Sequence, residues 1–206
     1  MANNTKRVFL QNYRREMTTF ENDIKNCIKV MEAGGTILYP TDTVWGLGCN
    51  AMDEKAVEKI FALKQRPKEK SMIVLLAETR DIIQYIAAPP PDIIATLESF
   101  TSPTTVIYNG ALGFPLNVTG SDGSIAIRVT GDLFCKALIK RLGKPIISTS
   151  ANLSNMPAPA TFDMVNPEIV SGCDYVVEYR QNDKTIHKPS RILRLEDDGR
   201  FEILRG

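Results

Sequence analysis

Residues 36–48 read Thr36-Ile37-Leu38-Tyr39-Pro40-Thr41-Asp42-Thr43-Val44-Trp45-Gly46-Leu47-Gly48. Thr36 to Tyr39 are β-branched or bulky and follow the Gly34-Gly35 break, so they predict a strand. Pro40 has no N–H to give a neighbouring strand and ends the ladder. Three short polar side chains follow, Thr41, Asp42 and Thr43, and then Trp45, the only tryptophan in the chain. Gly46 and Gly48 allow a sharp turn or a close backbone approach to a ligand. In open α/β sheets ligands sit just beyond the carboxyl ends of strands, where this loop would lie. Composition leaves two readings open: a tight strand exit around a packed tryptophan, or a ligand loop.

Towards the N-terminus, Phe20, Ile24, Cys27, Ile28 and Met31 recur at three- and four-residue spacing. They predict a helix from Thr18 or Thr19 to a cap at Gly34. Residues 1–17 are polar and aperiodic and read as an arm, with an edge strand expected around Val8 to Leu10. Beyond the loop, Asp53 is placed to cap a second helix running through Leu63, with Ala56, Val57, Ile60 and Phe61 on its apolar side. Lys64, Arg66, Lys68 and Lys70 crowd its end, which Pro67 marks. Basic residues there complement the carbonyl end of a helix, or they form an anion site.

Met72 to Ala77 is a continuous apolar run and reads as a buried strand. Helical segments at 79–87 and 91–99, broken by Pro89-Pro90-Pro91, precede a strand over Thr104–Asn109. Gly110–Gly123 reads as a mobile surface loop. The strand Ser124–Val129 carries Arg128 into an apolar setting, where an arginine takes an anionic partner from the protein or from a ligand. A helix over Gly131–Leu142, ended by Gly143, leads to the strand Ile146-Ile147. Ser148-Thr149-Ser150-Ala151-Asn152-Leu153-Ser154-Asn155 then offers hydroxyls, an amide and backbone N–H groups. These suit either a phosphate or amino-acid site, or a cluster of capping turns. A short helix from Thr161 or Asp163, a strand over Asp174–Tyr179 and a hairpin of Ser190–Leu195 with Arg200–Leu204 complete the order. Strands that alternate with helices and then close in a hairpin predict an α/β sheet of mixed parallel and antiparallel direction. With no linker or repeat, residues 18–206 read as one domain.

The chain has 206 residues, 43% hydrophobic and 24% charged, as expected of a folded globular protein. A net charge of +1 gives no global attraction to nucleic acid or membrane. No apolar run reaches membrane-span length, and the N-terminus lacks a signal-peptide core, so the expected location is cytoplasmic. Cys27, Cys49, Cys135 and Cys173 stand apart and His187 is the only histidine, which argues against a zinc site. There is no P-loop, no G-x-G-x-x-G after a strand, no G-x-S-x-G elbow and no kinase signature. What remains is a set of Thr, Ser, Asn, Lys and Arg without a nucleophile–base pair. Such a site works by positioning and by stabilising negative charge, as phosphoryl and nucleotidyl transfer require.

YPTDTVWGLG, LKQRP, AIRV, KPIISTSANLS and PSRI, taken in that order, closely resemble the YrdC-like family of threonylcarbamoyl-AMP synthases. The similarity runs from about Phe20 to Arg205 and is to the short, single-domain bacterial type. It implies a twisted open α/β sheet with flanking helices and a concave basic cleft. It also implies an activity: L-threonine, bicarbonate or CO2, and ATP become L-threonylcarbamoyl-adenylate, with release of pyrophosphate. Downstream tRNA threonylcarbamoyl-transferase proteins would move the group onto adenosine 37 of tRNA. By position, Lys64, Arg66, Ser150 and Asn152 match the family's catalytic K-x-R and S-x-N residues. Thr41, Lys70, Arg128 and Ser190 would bind threonine; Ser124, Ser148, Thr161 and Arg205 would join Lys64, Arg66, Ser150 and Asn152 around ATP. Mg²⁺ would arrive with ATP, and no metal site made of protein alone is expected. Direct contact with tRNA is left open by the sequence.

The chain departs from the family pattern at Ser102, where a glycine is usual, at Asn155 in place of glycine, and at Arg191 in place of threonine. The alternative is a YrdC-like paralogue that binds RNA without synthase activity. Retention of both K-x-R and S-A-N favours the synthase.

Overall fold

The computed structural model describes residues 16–66 and 72–206. The edge strand expected at Val8 to Leu10, and Lys70, lie outside those residues. Among the described residues nine strands form one open sheet: β1 (Ile37–Tyr39), β2 (Gly46–Gly48), β3 (Ile73–Leu76), β4 (Thr104–Tyr108), β5 (Ile125–Val129), β6 (Ile146–Ser150), β7 (Tyr175–Val176), β8 (Arg191–Leu195) and β9 (Phe201–Arg205). Their order across the sheet is β7-β1-β2-β6-β3-β5-β4-β8-β9. The pairs β7–β1, β3–β5 and β4–β8 are parallel and the other five antiparallel, so the sheet is mixed, as the alternation of elements predicted. The α-helices that accompany it are α1 (Glu21–Glu32), α2 (Glu54–Lys64), α3 (Ile93–Glu98), α4 (Leu133–Leu142) and α5 (Pro167–Gly172).

Side chains of a strand alternate between the two faces, and here the alternation decides where a site can exist. On one face Leu38, Leu47, Val74, Leu76, Val106, Tyr108, Ile125, Ile127, Ile147 and Leu193 pack with Val57, Ile60 and Phe61 of α2 and with Ile169 of α5. On the other face, Ile37, Tyr39, Leu75 and Ile146 are covered by Ile24, Cys27 and Met31 of α1 and by Phe134 and Leu138 of α4. Phe20 joins that layer edge-on to Phe134, with ring centroids 5.5 Å apart. α1 and α4 cover only part of this second face. Where they stop, the same face presents Gly46, Ser148, Ile73, Ala126, Arg128, Thr105, Ile107 and Ile192 to a cleft.

Helix ends follow the sequence signals. Asp53 Oδ1 accepts the N–H groups of Lys55 (3.0 Å) and Ala56 (3.1 Å), a cap of the kind that stabilises a helix by about 1 kcal/mol. Asp132 caps α4 in the same way, taking the N–H of Cys135 at 2.9 Å.

Several expectations need correction. Gly46 and Gly48 are not a turn but a buried strand, antiparallel to β1, so the whole 36–48 stretch is a hairpin around Thr41–Trp45. Gly48 permits this because a Cβ there would stand 2.7 Å from both Ile147 O and the Tyr39 ring. The strand expected at Ile146-Ile147 continues to Ser150 through its pairing with β2. The segment at 79–87 is a 3-10 helix over Thr79–Gln84, and the strand expected over Asp174–Tyr179 is only β7. The short helix expected from Thr161 or Asp163 is a 3-10 turn over Phe162–Met164, and α5, capped by Asn166 and opened by Pro167, follows it.

Candidate active site

The cleft has a volume of about 270 Å³. Its wall begins at the end of α2. Gln65 takes a left-handed conformation (φ 50°), and the Arg66 N–H closes the turn on Phe61 O at 3.0 Å. Lys64, the last helical residue, points under the wall, and Arg66, two residues on, reaches the cleft. Lys64 is 1% exposed, and its ammonium donates to Asn152 O (2.6 Å), to Asn152 Oδ1 (3.4 Å) and to Ser150 O. Burial pushes its pKa down to about 7, with the Arg66 charge adding to the shift. Burial also lowers Arg66.

Against this end of α2, β6 presents Ser148 and then Ser150 to the cleft. The Ser150 hydroxyl donates to Asn152 Oδ1 at 2.5 Å, and the Asn152 amide donates to Leu153 O (3.0 Å) and Met156 O (2.6 Å). The S-x-N turn is therefore knotted to Lys64 and to the following loop, with Asn152 behind the wall and Ser150 on it.

The floor is built around Arg128, 4% exposed. Its Nη1 donates to Thr43 Oγ1 at 2.8 Å and its Nη2 lies 3.5 Å from Asp42 Oδ1. Its Nε has no hydrogen-bond partner among the described residues. Beside it, the hydroxyls of Thr105 and Ser190 share a 2.9 Å hydrogen bond, and Arg205 donates twice to Ser190 O, at 2.7 and 3.1 Å. Three arginines, Arg66, Arg128 and Arg205, thus line the cleft together with the hydroxyl-bearing residues Thr43, Thr105, Ser148, Thr149, Ser150 and Ser190. No carboxylate is among the described lining residues.

Of the residues expected from the sequence, Arg66, Arg128, Ser148, Ser150, Ser190 and Arg205 meet in the cleft, and Lys64 and Asn152 lie directly behind it. Thr41 does not line it. Its hydroxyl donates to Val44 O (2.8 Å) and accepts the Thr43 N–H (3.0 Å), which commits it to the turn. Ser124 shares the Ala126 and Arg128 face but its N–H and hydroxyl turn to Asp122, and the Thr161 hydroxyl turns to Asp163. Thr43 and Thr105 line the cleft and were missed. Alternation along β4 could have found Thr105, since Val106 and Tyr108 are the core residues of that strand. Among the described residues no cluster of three or more His, Cys, Asp or Glu could hold a metal ion. Nor is any helix among them long and apolar enough to cross a membrane.

A family model named Sua5_yciO_yrdC, described as "Telomere recombination", matches residues 29–206. The chain belongs to the Sua5/YciO/YrdC family. A "Threonylcarbamoyl-AMP synthase" of Pseudoalteromonas translucida is 34% identical over 189 residues, covering 90% of this chain and 98% of the relative. P. abyssi Sua5, solved in complex with L-threonine, superposes with a TM-score of 0.74 at 25% identity, over 84% of this chain and 50% of that one. This family member therefore spans about half the length of that Sua5. E. coli YciO shares the fold, with a TM-score of 0.76, 23% identity and coverage of 89% and 88%.

The three departures from the family pattern find structural explanations in this Sua5/YciO/YrdC chain. Asn155 sits at φ 67°, a left-handed conformation that asparagine tolerates better than most residues. Arg191 faces away from the cleft, its guanidinium 5.3 Å from the centroid of the Phe100 ring. Ser102 is exposed, with its carbonyl accepting the Thr104 hydroxyl at 3.0 Å. None of the three lines the cleft.

Proposed function

We infer that this chain is a threonylcarbamoyl-AMP synthase, a nucleotidyltransferase that acts on L-threonine, bicarbonate or CO2, and ATP. The observation that carries the reading is the cleft itself, where three arginines meet a row of hydroxyls with no carboxylate among the described lining residues. That chemistry suits an anionic pair of substrates, an amino-acid carboxylate and a triphosphate. The relatives named as synthases and the threonine complex of Sua5 agree with it.

Arg128 takes the threonine carboxylate. Its buried, unpartnered Nε offers the additional donor such a group needs, and Thr43 and Ser190 stand beside it. Arg66, Ser148, Ser150 and Arg205 receive the nucleotide phosphates, and Lys64 with Asn152 fixes the wall that carries Ser150. In forming the product, the threonine amine loses a proton as its nitrogen bonds to the carbon of CO2 (with bicarbonate, a water leaves that carbon), a carbamate oxygen then bonds to the α-phosphorus, and the bond to the leaving pyrophosphate breaks. Negative charge builds on the transferring and leaving oxygens, and the arginines are placed to meet it. Mg²⁺ enters as part of the MgATP substrate; Asp42, beside the floor, is taken up by Arg128 and the Gly131 N–H (3.0 Å). The product would pass, in the cytoplasm, to the tRNA threonylcarbamoyl-transferase proteins.

Calorimetric titration with L-threonine tests the assignment of Arg128. Arg128→Gln should weaken binding more than tenfold, the loss of a charge-assisted pair, while its circular dichroism stays that of the parent. Unchanged affinity in the folded variant would remove Arg128 from the threonine site.

A further inference from the structure

Outside the cleft, the backbone is left-handed at Arg180, with φ 64°. Arginine gains nothing from that conformation on its own, and such strain persists where surrounding contacts hold it. Here the guanidinium makes them. Nη2 forms an ion pair with Asp132 Oδ2 at 2.9 Å, the two side chains 23% and 8% exposed, and donates to Thr41 O at 3.4 Å. The group also lies 5.2 Å from the centroid of the Tyr179 ring. Asp132 is itself fixed as the cap of α4.

From Thr41 the contacts run inward. The Thr41 hydroxyl donates to Val44 O, so in its 2.9 Å contact with Thr43 it must be the acceptor and the Thr43 hydroxyl the donor. The Thr43 oxygen is then an acceptor for Arg128 Nη1. On the other side of the loop, Asp42 is pinned by the Gly131 N–H, one residue before Asp132. The loop at 41–44 is thus gripped from both sides of the start of α4.

We propose that Arg180 is a positioning residue: it clasps the 41–44 loop to the start of α4 and, through Thr41 and Thr43, sets the orientation of Arg128 in the cleft. Its functional consequence rests on the amino-acid-binding reading above. Arg180 does not itself line the cleft and acts through the loop.

Glycine is at ease at φ 64°, so Arg180→Gly deletes the guanidinium while relieving the backbone. Asp132→Asn keeps an oxygen for the helix cap but removes the charge. Both variants, with Arg180→Lys, would be compared with the parent in two measurements. The first is amide hydrogen exchange at Thr43, whose N–H bonds Thr41 Oγ1 at 3.0 Å. The second is the split between KM for threonine and kcat. Arg180→Gly should speed Thr43 exchange about tenfold and raise the threonine KM about five- to tenfold, with kcat within about twofold of the parent and the melting temperature not lowered. Asp132→Asn should follow it and Arg180→Lys should fall between. Unchanged exchange at Thr43 in Arg180→Gly would overturn the clasp, as would a loss confined to melting temperature and kcat. The exchange arm stands without catalysis. If the parent shows no threonine-dependent turnover, faster Thr43 exchange in Arg180→Gly upholds the clasp while the synthase reading fails.

Discussion

Lys64 ends a helix and turns its ammonium onto Ser150 O, Asn152 O and Asn152 Oδ1. Three acceptors match the three protons of an ammonium, while burial and the neighbouring Arg66 oppose the charge. Burial sets the direction of the shift, to about 7, well under the ordinary lysine range near 10.4. The charge is therefore full below about pH 7 and is lost as pH rises through that value. If the Lys64 charge supports phosphate binding through the wall it fixes, kcat/KM for ATP should fall on the alkaline side with an apparent pKa of about 7. In Lys64→Arg that limb should vanish, because a guanidinium stays charged across the range. A pH–rate profile of the parent that stays flat up to pH 9 would show that the three acceptors outweigh burial. At this scale the sequence was half legible. Lys64 and Arg66 look alike as two basic residues at a helix end, and only the left-handed Gln65 between them sends one under the wall and the other into the cleft. The two threonines around Asp42 are likewise indistinguishable without the turn that commits Thr41 to Val44 O and leaves Thr43 for Arg128.

Among the elements, β2 was the least legible and is the most consequential. Gly-Leu-Gly has little strand propensity, and its place in the sheet comes from tertiary context that no local pattern carries. The two glycines serve different ends. A Cβ at Gly48 would meet Ile147 O and Tyr39 Cε1 at 2.7 Å, in the fully buried layer beneath α1. At Gly46 the nearest atoms are Ser148 Oγ and Thr149 O at 3.4 Å, and the added methyl would stand in the cleft. Gly48→Ala should therefore cost about 1–3 kcal/mol of stability, the range for overpacking a tight core. Gly46→Ala should cost less, about 1 kcal/mol or under, since the added methyl meets its neighbours only at van der Waals distance, yet bind ligand more weakly. Denaturant unfolding of both variants beside threonine titrations checks the pair, and equal destabilisation of the two would contradict it. The helices and the longer strands were plainer. Apolar spacing marked α1, α2 and α4 and Asp53 announced its cap, whereas the alternation along β4 that separates core from cleft went unread. β7 was overextended because Val176 and Val177 are apolar, although pairing with β1 engages only Tyr175 and Val176.

For the whole molecule, the sheet is covered on one face from β7 to β8, with the edge strand β9 exposed, and on the other only where α1 and α4 lie. The uncovered part becomes the cleft, and segments far apart in sequence reach it: the hairpin at 36–48, the end of α2, the floor strands β4 and β5, the S-x-N turn after β6, and Ser190 with Arg205 at the far edge. This is why the motifs that were separate along the chain belong to one site. The mixed sheet could be anticipated from the order of elements, but the way its strands interleave could not, since β6 lies between β2 and β3 and β8 beside β4. A formal charge of +1 likewise gave no hint that arginines gather on one concave surface. The measurement that bears most directly on the central claim is pyrophosphate release by the purified protein with MgATP and bicarbonate, with and without L-threonine, beside Arg66→Ala. Release that depends on threonine and bicarbonate, and falls at least tenfold in the variant, is the expected result. Folded parent protein that releases no pyrophosphate in response to threonine would contradict the synthase function.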